Sequence, residues 1–280
     1  MDIVWALAAL TVLLSHNGVN ANEIYIEQTG DNFYLNVQQD GEDNQIKGIS
    51  TTDMTIDGNN NYMINHQFGD GHLQEVEVDG NNNYTVIVQG GGGDNGFARV
   101  SVTGAGNYTG AFQGFHYDGL YFTADTDETG GHEAYVTVTG DHNNHLSTQT
   151  DTNRGAGGGA PHHLANVIDG DWNTVEHTQM GKQGHDGFVE ITGDDNTVDL
   201  YQRGNGGQKW ADIVLTGDDH TVDVMQRGTE YAEAEVDLTN SGGAYDFTLT
   251  QNVSTASSTY SVTGYCTNTA GCSLSVNGNN

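Results

Sequence analysis

Apolar and polar residues alternate in short bursts along most of the chain. In one burst Val189 and Ile191 alternate with Glu190 and Thr192, the period of two expected of a strand with one face buried. Gly193-Asp194-Asp195 follows and has the chemistry of a tight turn. A second alternating stretch then sets Asn196, Val198, Leu200 and Gln202 on one face and Thr197, Asp199 and Tyr201 on the other. The Gly-rich segment Arg203 to Gly207 closes the unit. The pattern predicts strand, turn, strand, turn.

This unit recurs, and repetition at a fixed period governs the fold. A Gly follows the first strand at Gly58, Gly80, Gly104, Gly140, Gly170, Gly193 and Gly217. Three residues later stand Asn61, Asn83, Asn107, Asn143, Asn173 and Asn196, with His220 the exception. Nine residues after each Gly stand Gln67, Gln89, Gln113, Gln149, Gln179, Gln202 and Gln226. Degenerate copies open the array at Ile24 to Gln39 and close it at Val236 to Gln251 and Tyr260 to Val276, which gives about ten units, most of them 22 to 25 residues apart. Two strands per unit with one face turned inward predict an all-β, two-sheet β-solenoid with rungs stacked at about 4.8 Å. The inward Asn and Gln then form ladders, because a buried amide is costly unless paired and a stacked copy of itself is the nearest partner. Longer intervals at 114–134 and 150–165 are Gly-rich and polar and read as loops bulging from one domain, 22–280.

Composition narrows the function. The 280 residues hold 40 Gly and one Pro, and 38 Asp+Glu against seven Lys+Arg give a formal net charge of −31. Seven scattered cations supply no basic footprint, which excludes a nucleic-acid binder. Gly every few residues argues against a helical domain. The charge alone would suit a disordered chain, but the regular Val and Ile and the thirteen Tyr do not. Ile3 to Leu14 is an apolar run too short to span a bilayer as a helix. With small residues at Val19-Asn20-Ala21 it reads as a signal peptide, 1–21, although Met1-Asp2 brings no Lys or Arg. The mature chain is then exported, with no membrane span. In that compartment Cys266 and Cys272 read as a disulfide near the chain end.

No Ser/His/Asp order or His-Glu-x-x-His spacing appears, so no catalytic site is expected. His142, His145, His162 and His163 read as exposed turn and loop residues. No cofactor is expected, and calcium is the metal to consider. Asp194-Asp195 and Asp218-Asp219 stack at adjacent turns, and Asp199 stacks on Asp223, so like charges one rung apart repel. Salt or divalent cations are expected to promote folding and assembly. Outward Tyr62, Tyr84 and Tyr108 read as cross-rung aromatic packing, the alternative being a sugar-stacking stripe. The first strand, at Ile24-Tyr25-Ile26, carries no cap, whereas Asn277 to Asn280 reads as a cap or a joint.

Gln39-Asp-Gly41-Glu-Asp-Asn44 resembles the centre of the repeat of curlin, the subunit of bacterial curli amyloid fibres: Gln-x-Gly-x-x-Asn, with a further Gln after the second strand. Gln28-Thr-Gly30-Asp-Asn32 is similar with one residue deleted, and the Gly-x-x-Asn to Gln portion recurs through roughly 24–276. The chain departs from that family two residues before the Gly, where curlins carry Gln and most units here carry Ile56, Val78, Val102, Val138, Ile168, Ile191 or Leu215. The resemblance implies a secreted structural protein that assembles head to tail into extracellular amyloid fibres for biofilm matrix and adhesion. The implied partners are further copies of itself, an outer-membrane secretion pore, a nucleating paralogue and periplasmic chaperones. A monomeric cell-surface adhesin or carbohydrate-binding solenoid is the alternative.

Overall fold

A computed structural model describes residues 9–14, 22–49, 53–90, 95–117, 122–124, 131–150, 160–218, 220–237, 245–261 and 272–279. Each repeat contributes one strand to each of two parallel sheets, and the chain crosses between them at two corners. The amide sheet stacks eleven strands, from Ala9–Leu14 and Tyr34–Asp40 through Tyr62–Phe68, Tyr84–Gln89 and Tyr108–Gln113 to Tyr245–Val253 and Cys272–Asn279. The facing aliphatic sheet has twelve, among them Met54–Asp57, Leu73–Asp79, Phe97–Thr103, Glu133–Thr139 and His163–Asp169. Eight coils run from Ile24 to Gln226, and two more continue the stack among the described residues. The two-sheet β-solenoid predicted from the repeat is the fold observed.

Parallel pairing sets equivalent residues above one another, for example Gln67 on Gln89 and Val78 on Val102. The core is therefore built from columns. The aliphatic positions two residues before the corner Gly line one such column, with Ile56, Val78, Val102, Val138, Ile168, Ile191 and Leu215 at most 2% exposed. Burying each such side chain contributes about 1.5–3 kcal/mol, and a one-residue slip would turn the whole column outward.

The corner glycines are fixed by their neighbours as well as by their own backbone. Gly80 has φ 132°, and a Cβ there would lie 1.8 Å from the carbonyl oxygen of Gly104 in the next coil. Closely stacked corners leave no room for a side chain at this position.

Three regions differ from the sequence reading in extent. Thr150 still belongs to strand Asn144–Thr150, and His163 to Ala165 belong to strand His163–Asp169, so the second interval is shorter than 150–165. Within the first, Phe115–Tyr117 and Phe122–Ala124 pair as a small antiparallel hairpin and Glu133 already opens the next strand. Ala9–Leu14, inside the expected signal peptide, lies parallel to Tyr34–Asp40 as the outermost strand of the amide sheet. The expected disulfide falls outside the described residues at Cys266, and the side chain of Cys272 also falls outside them; Asp219 is likewise outside.

Candidate functional site

The Gln series forms one continuous interior ladder. Gln39 Nε2 donates to Gln67 Oε1 at 2.7 Å, and the same bond repeats from Gln67 to Gln89 at 3.1 Å and from Gln89 to Gln113 at 2.8 Å. It continues through Gln149, Gln179, Gln202 and Gln226 to Gln251 at 2.9–3.0 Å. The second amide hydrogen binds backbone at the neighbouring strand, as from Gln202 Nε2 to Asp186 O at 2.9 Å. Every donor points toward the C-terminal end, so the ladder has a direction. It begins at Gln39 Oε1, which is buried and has no hydrogen-bond partner.

The Asn series works differently from the amide-to-amide ladder expected. Asn83 Nδ2 donates to the carbonyl of Gly104 at 2.8 Å, while its Oδ1 accepts the backbone N–H of Asn107 at 3.0 Å. Asn61, Asn107, Asn143 and Asn173 bridge successive corners in the same way, and Asn196 donates to both Gly217 O and Asn173 Oδ1. The shorter side chain reaches the corner backbone, which would otherwise be buried with unmet polar groups.

The two curlin-like motifs occupy opposite corners. Gly30, at φ 119°, packs against Gly58 like the other corner glycines, and Gln28 lies opposite Ile56 with its Nε2 on Gly30 O at 2.8 Å. Asn32 takes a left-handed turn conformation at φ 57°, and Phe33 enters the interior beneath Asn61 instead. Gln39 heads the Gln ladder. Gly41 packs on Gly69 at the far corner, where Asn44 donates to Gly69 O at 2.7 Å and accepts from His72 N at 2.9 Å.

Above Asn44 the far corner carries a column that the sequence did not disclose. His72 Nδ1 accepts the N–H of Gly96 at 3.1 Å. His132 Nδ1 accepts from His162, His162 from His185, and His185 from Lys209, at 3.0–3.2 Å. Accepting requires an unprotonated Nδ1, which leaves the hydrogen on Nε2; at His72 and His185 it donates to Phe68 O and Met180 O, each at 3.0 Å. Burial pushes His185 down to about 4 and holds His162 well below the ordinary histidine range. Lys209 ends the column fully buried, its Nζ on Gly207 O and Glu230 O, and burial lowers it to about 8. The reading of His162 as an exposed loop residue is corrected: it is 0% exposed. His145, likewise read as exposed, is also 0% exposed.

His145 lies in the core with Ser147, Asn166 and His177. Its Nε2 meets Ser147 Oγ at 2.8 Å and Asn166 Nδ2 at 2.9 Å, and burial pushes both His145 and His177 down to about 3. Gly187 makes the room, since a Cβ there would lie 2.2 Å from His177 Cε1. His, Ser and Asn are residue types of nucleophilic catalysis, but here all four side chains are buried inside the stack at 0–1% exposure.

The acidic turns are also part of the stack. Asp141 Oδ1 accepts the N–H of Ala105, and Asp171, Asp194 and Asp218 repeat the contact one coil further on, at 2.7–2.9 Å. Asp195 sits beside them at φ 58°, and Asp199 stacks on Asp223. Burial, with Glu176 and Asp223 nearby, raises the Asp199 carboxyl. Among the described residues no group of three or more His, Cys, Asp or Glu is placed to hold a metal ion. On the outer face of the amide sheet Tyr34, Tyr62, Tyr84 and Tyr108 stack at 4.3–5.1 Å with near-parallel rings. The faces of Tyr62 are thus covered by Tyr34 and Tyr84, the cross-rung aromatic packing expected from the sequence.

Residues 193–228 match the family model described as the curlin associated repeat. No curated protein and no solved structure matches the chain. The matched stretch contains Gly193, Asn196, Gln202, Gly217 and Gln226, the positions that repeat through the rest of the stack. Among the described residues no helix is long and apolar enough to cross a membrane. The match therefore shows a curlin associated repeat at 193–228, with the same Gly, Asn and Gln spacing recurring along the chain.

Proposed function

We propose that the chain is a secreted structural protein that joins head to tail into extracellular curli-like fibres, serving matrix and adhesion. The observation that carries this reading is the directional Gln ladder. Identical coils stack through the molecule with one repeated bond, and a parallel sheet presents unpaired backbone groups wherever the stack stops. Another copy can continue the same pairing, with the buried amides fixing its register. Residues 1–21 act as the export signal. By relationship to curlins, the secretion pore, a nucleating paralogue and chaperones are the partners before assembly. The core histidines and the turn carboxylates serve the stack, and no catalytic role is assigned to them.

The test is seeded elongation of the purified chain, followed by amyloid dye and electron microscopy. The parent chain is expected to extend its own seeds. A Gln202→Leu, Gln226→Leu double variant, which interrupts the ladder at two adjacent coils, should elongate at least about tenfold more slowly, the loss of one or more buried hydrogen bonds. A parent chain that gives no filaments contradicts the reading, and a double variant with parental kinetics removes the ladder from it.

A further inference from the structure

Positive charge is scarce on this chain and gathers at one corner. Of the seven Lys+Arg, three belong to two successive coils: Arg203, Lys209 and Arg227. Arg203 and Arg227 end their strands in register, one directly above the other, and both are exposed. Like charges one coil apart repel, yet among the described residues neither arginine makes an ion pair, whereas Lys47 and Arg99 share Glu75. The Arg227 guanidinium lies 5.8 Å from the ring of Tyr201, and a stacked guanidinium keeps its N–H edge available. Behind the corner, Lys209 Nζ stands 3.1 Å from where a Cβ on Gly204 would be. Glu230 acts on Lys209 as its carboxylate neighbour, so the unmatched charge is that of the two arginines. With Gly204, Asn205, Gly228 and Thr229 they line a cavity of about 280 Å³.

This corner also lacks an oxygen that other corners have. Where Glu42 follows Gly41, its N–H donates to Asp70 Oδ1 of the next coil at 2.7 Å, and Asp141, Asp171, Asp194 and Asp218 accept in the same way at the opposite corner. Asn205 follows Gly204, but the residue one coil on is Thr229, whose Oγ1 donates to Ser254 O at 3.3 Å. Among the described residues nothing accepts the Asn205 N–H. We infer that this corner binds a small tetrahedral oxyanion, phosphate or sulfate, between Arg203 and Arg227, with one oxygen where other corners place an Asp carboxylate. Two guanidinium forks about 4.8 Å apart can each grip one edge of such an ion. A long polyanion would also run over Asp199 and Asp223, which share the outer face of these strands, and be repelled. The site faces sideways from the stack, so it does not depend on the head-to-tail reading and is present in monomer and fibre alike.

Equilibrium dialysis of the full chain against radiolabelled inorganic phosphate at low ionic strength tests the site in either state of assembly. The expected result is one phosphate per chain with a Kd of about 1 mM, competed by sulfate and not by chloride at equal ionic strength. Arg203→Gln and Arg227→Gln should each weaken binding about tenfold or more, the loss of a charge-assisted contact. Lys47→Gln should leave binding unchanged. Thr229→Asp supplies the missing carboxylate from within the chain. That variant should lose phosphate binding and unfold at higher denaturant concentration than the parent, a combination that a folding defect cannot produce. Binding that is absent from the parent, equally competed by chloride, or retained by Thr229→Asp or by the Arg203→Gln, Arg227→Gln double variant overturns the site. Long-chain polyphosphate that displaces the label better than inorganic phosphate, at equal concentration of phosphate groups, overturns its assignment to a small ion.

Discussion

At the scale of single residues, the stack is decided by what lies one coil away. Gly80 illustrates this: its φ of 132° lies outside the left-handed region that Asn tolerates, and a side chain 1.8 Å from Gly104 O could not be accommodated. Gly80→Ala is expected to cost about 3 kcal/mol, as backbone strain and overlap combine. Denaturant unfolding monitored by circular dichroism measures it, and a loss below about 0.5 kcal/mol would contradict the packing described. The Gly, Asn and Gln positions were legible in the sequence because each recurs at a fixed offset of three or nine residues, and fixed offsets become vertical columns. What each amide bonds was not legible. Asn and Gln look alike as inward amides, yet one methylene separates a side chain that reaches the next amide from one that reaches the corner backbone.

At the scale of the elements, the far corner shows where the sequence loses information. His72 follows Gln67 by five residues, His185 follows Gln179 by six, His162 follows Gln149 by thirteen and His132 follows Gln113 by nineteen. Corners of unequal length conceal a column that the structure lines up, with Gly96 between His72 and His132, so these histidines carried no periodic signal. Phe33 was hidden differently: it stands three residues after Gly30, where other units carry Asn, while Asn32 beside it holds the turn position of Asn60 and Asn82 and invited an alignment with one residue deleted. The buried histidines make a pH prediction. An unfolded histidine takes up a proton near pH 6.5, whereas His185 does so at about 4 and His145 and His177 at about 3. Between those limits the unfolded chain binds more protons, so stability falls as pH falls. From pH 7.5 to 5.5 each of these three buried histidines should withdraw about 1.4 kcal/mol. Urea unfolding at the two pH values tests this, and equal midpoints would contradict the neutral histidine core.

At the scale of the molecule, the chain carries a net charge of −31, and the carboxylates among the described residues lie on an ordered stack. Columns such as Asp141, Asp171, Asp194 and Asp218 bring carboxylates into successive coils, with one oxygen of each held by backbone. Stacking further copies extends those columns. Screening should therefore assist assembly, since the Debye length shrinks from about 30 Å at 0.01 M to about 8 Å at 0.15 M salt. We propose that calcium acts at these turns in the same sense. The lag before fibre growth is expected to shorten with added salt and with millimolar calcium, and a lag equal in chelator and in calcium would remove the metal from the account. Seven Lys+Arg are too few to neutralise the surface from within.

Solenoid and fibre share one axis in this account, because each new copy continues the strand stacking already present inside the molecule. Fibre diffraction from an aligned, freshly assembled sample of the purified chain tests that claim most directly. The expected result is filaments with a meridional reflection at about 4.8 Å and an equatorial one near 10 Å. A sample that remains a monodisperse monomer under the same conditions, or filaments without the 4.8 Å meridional spacing, would contradict it.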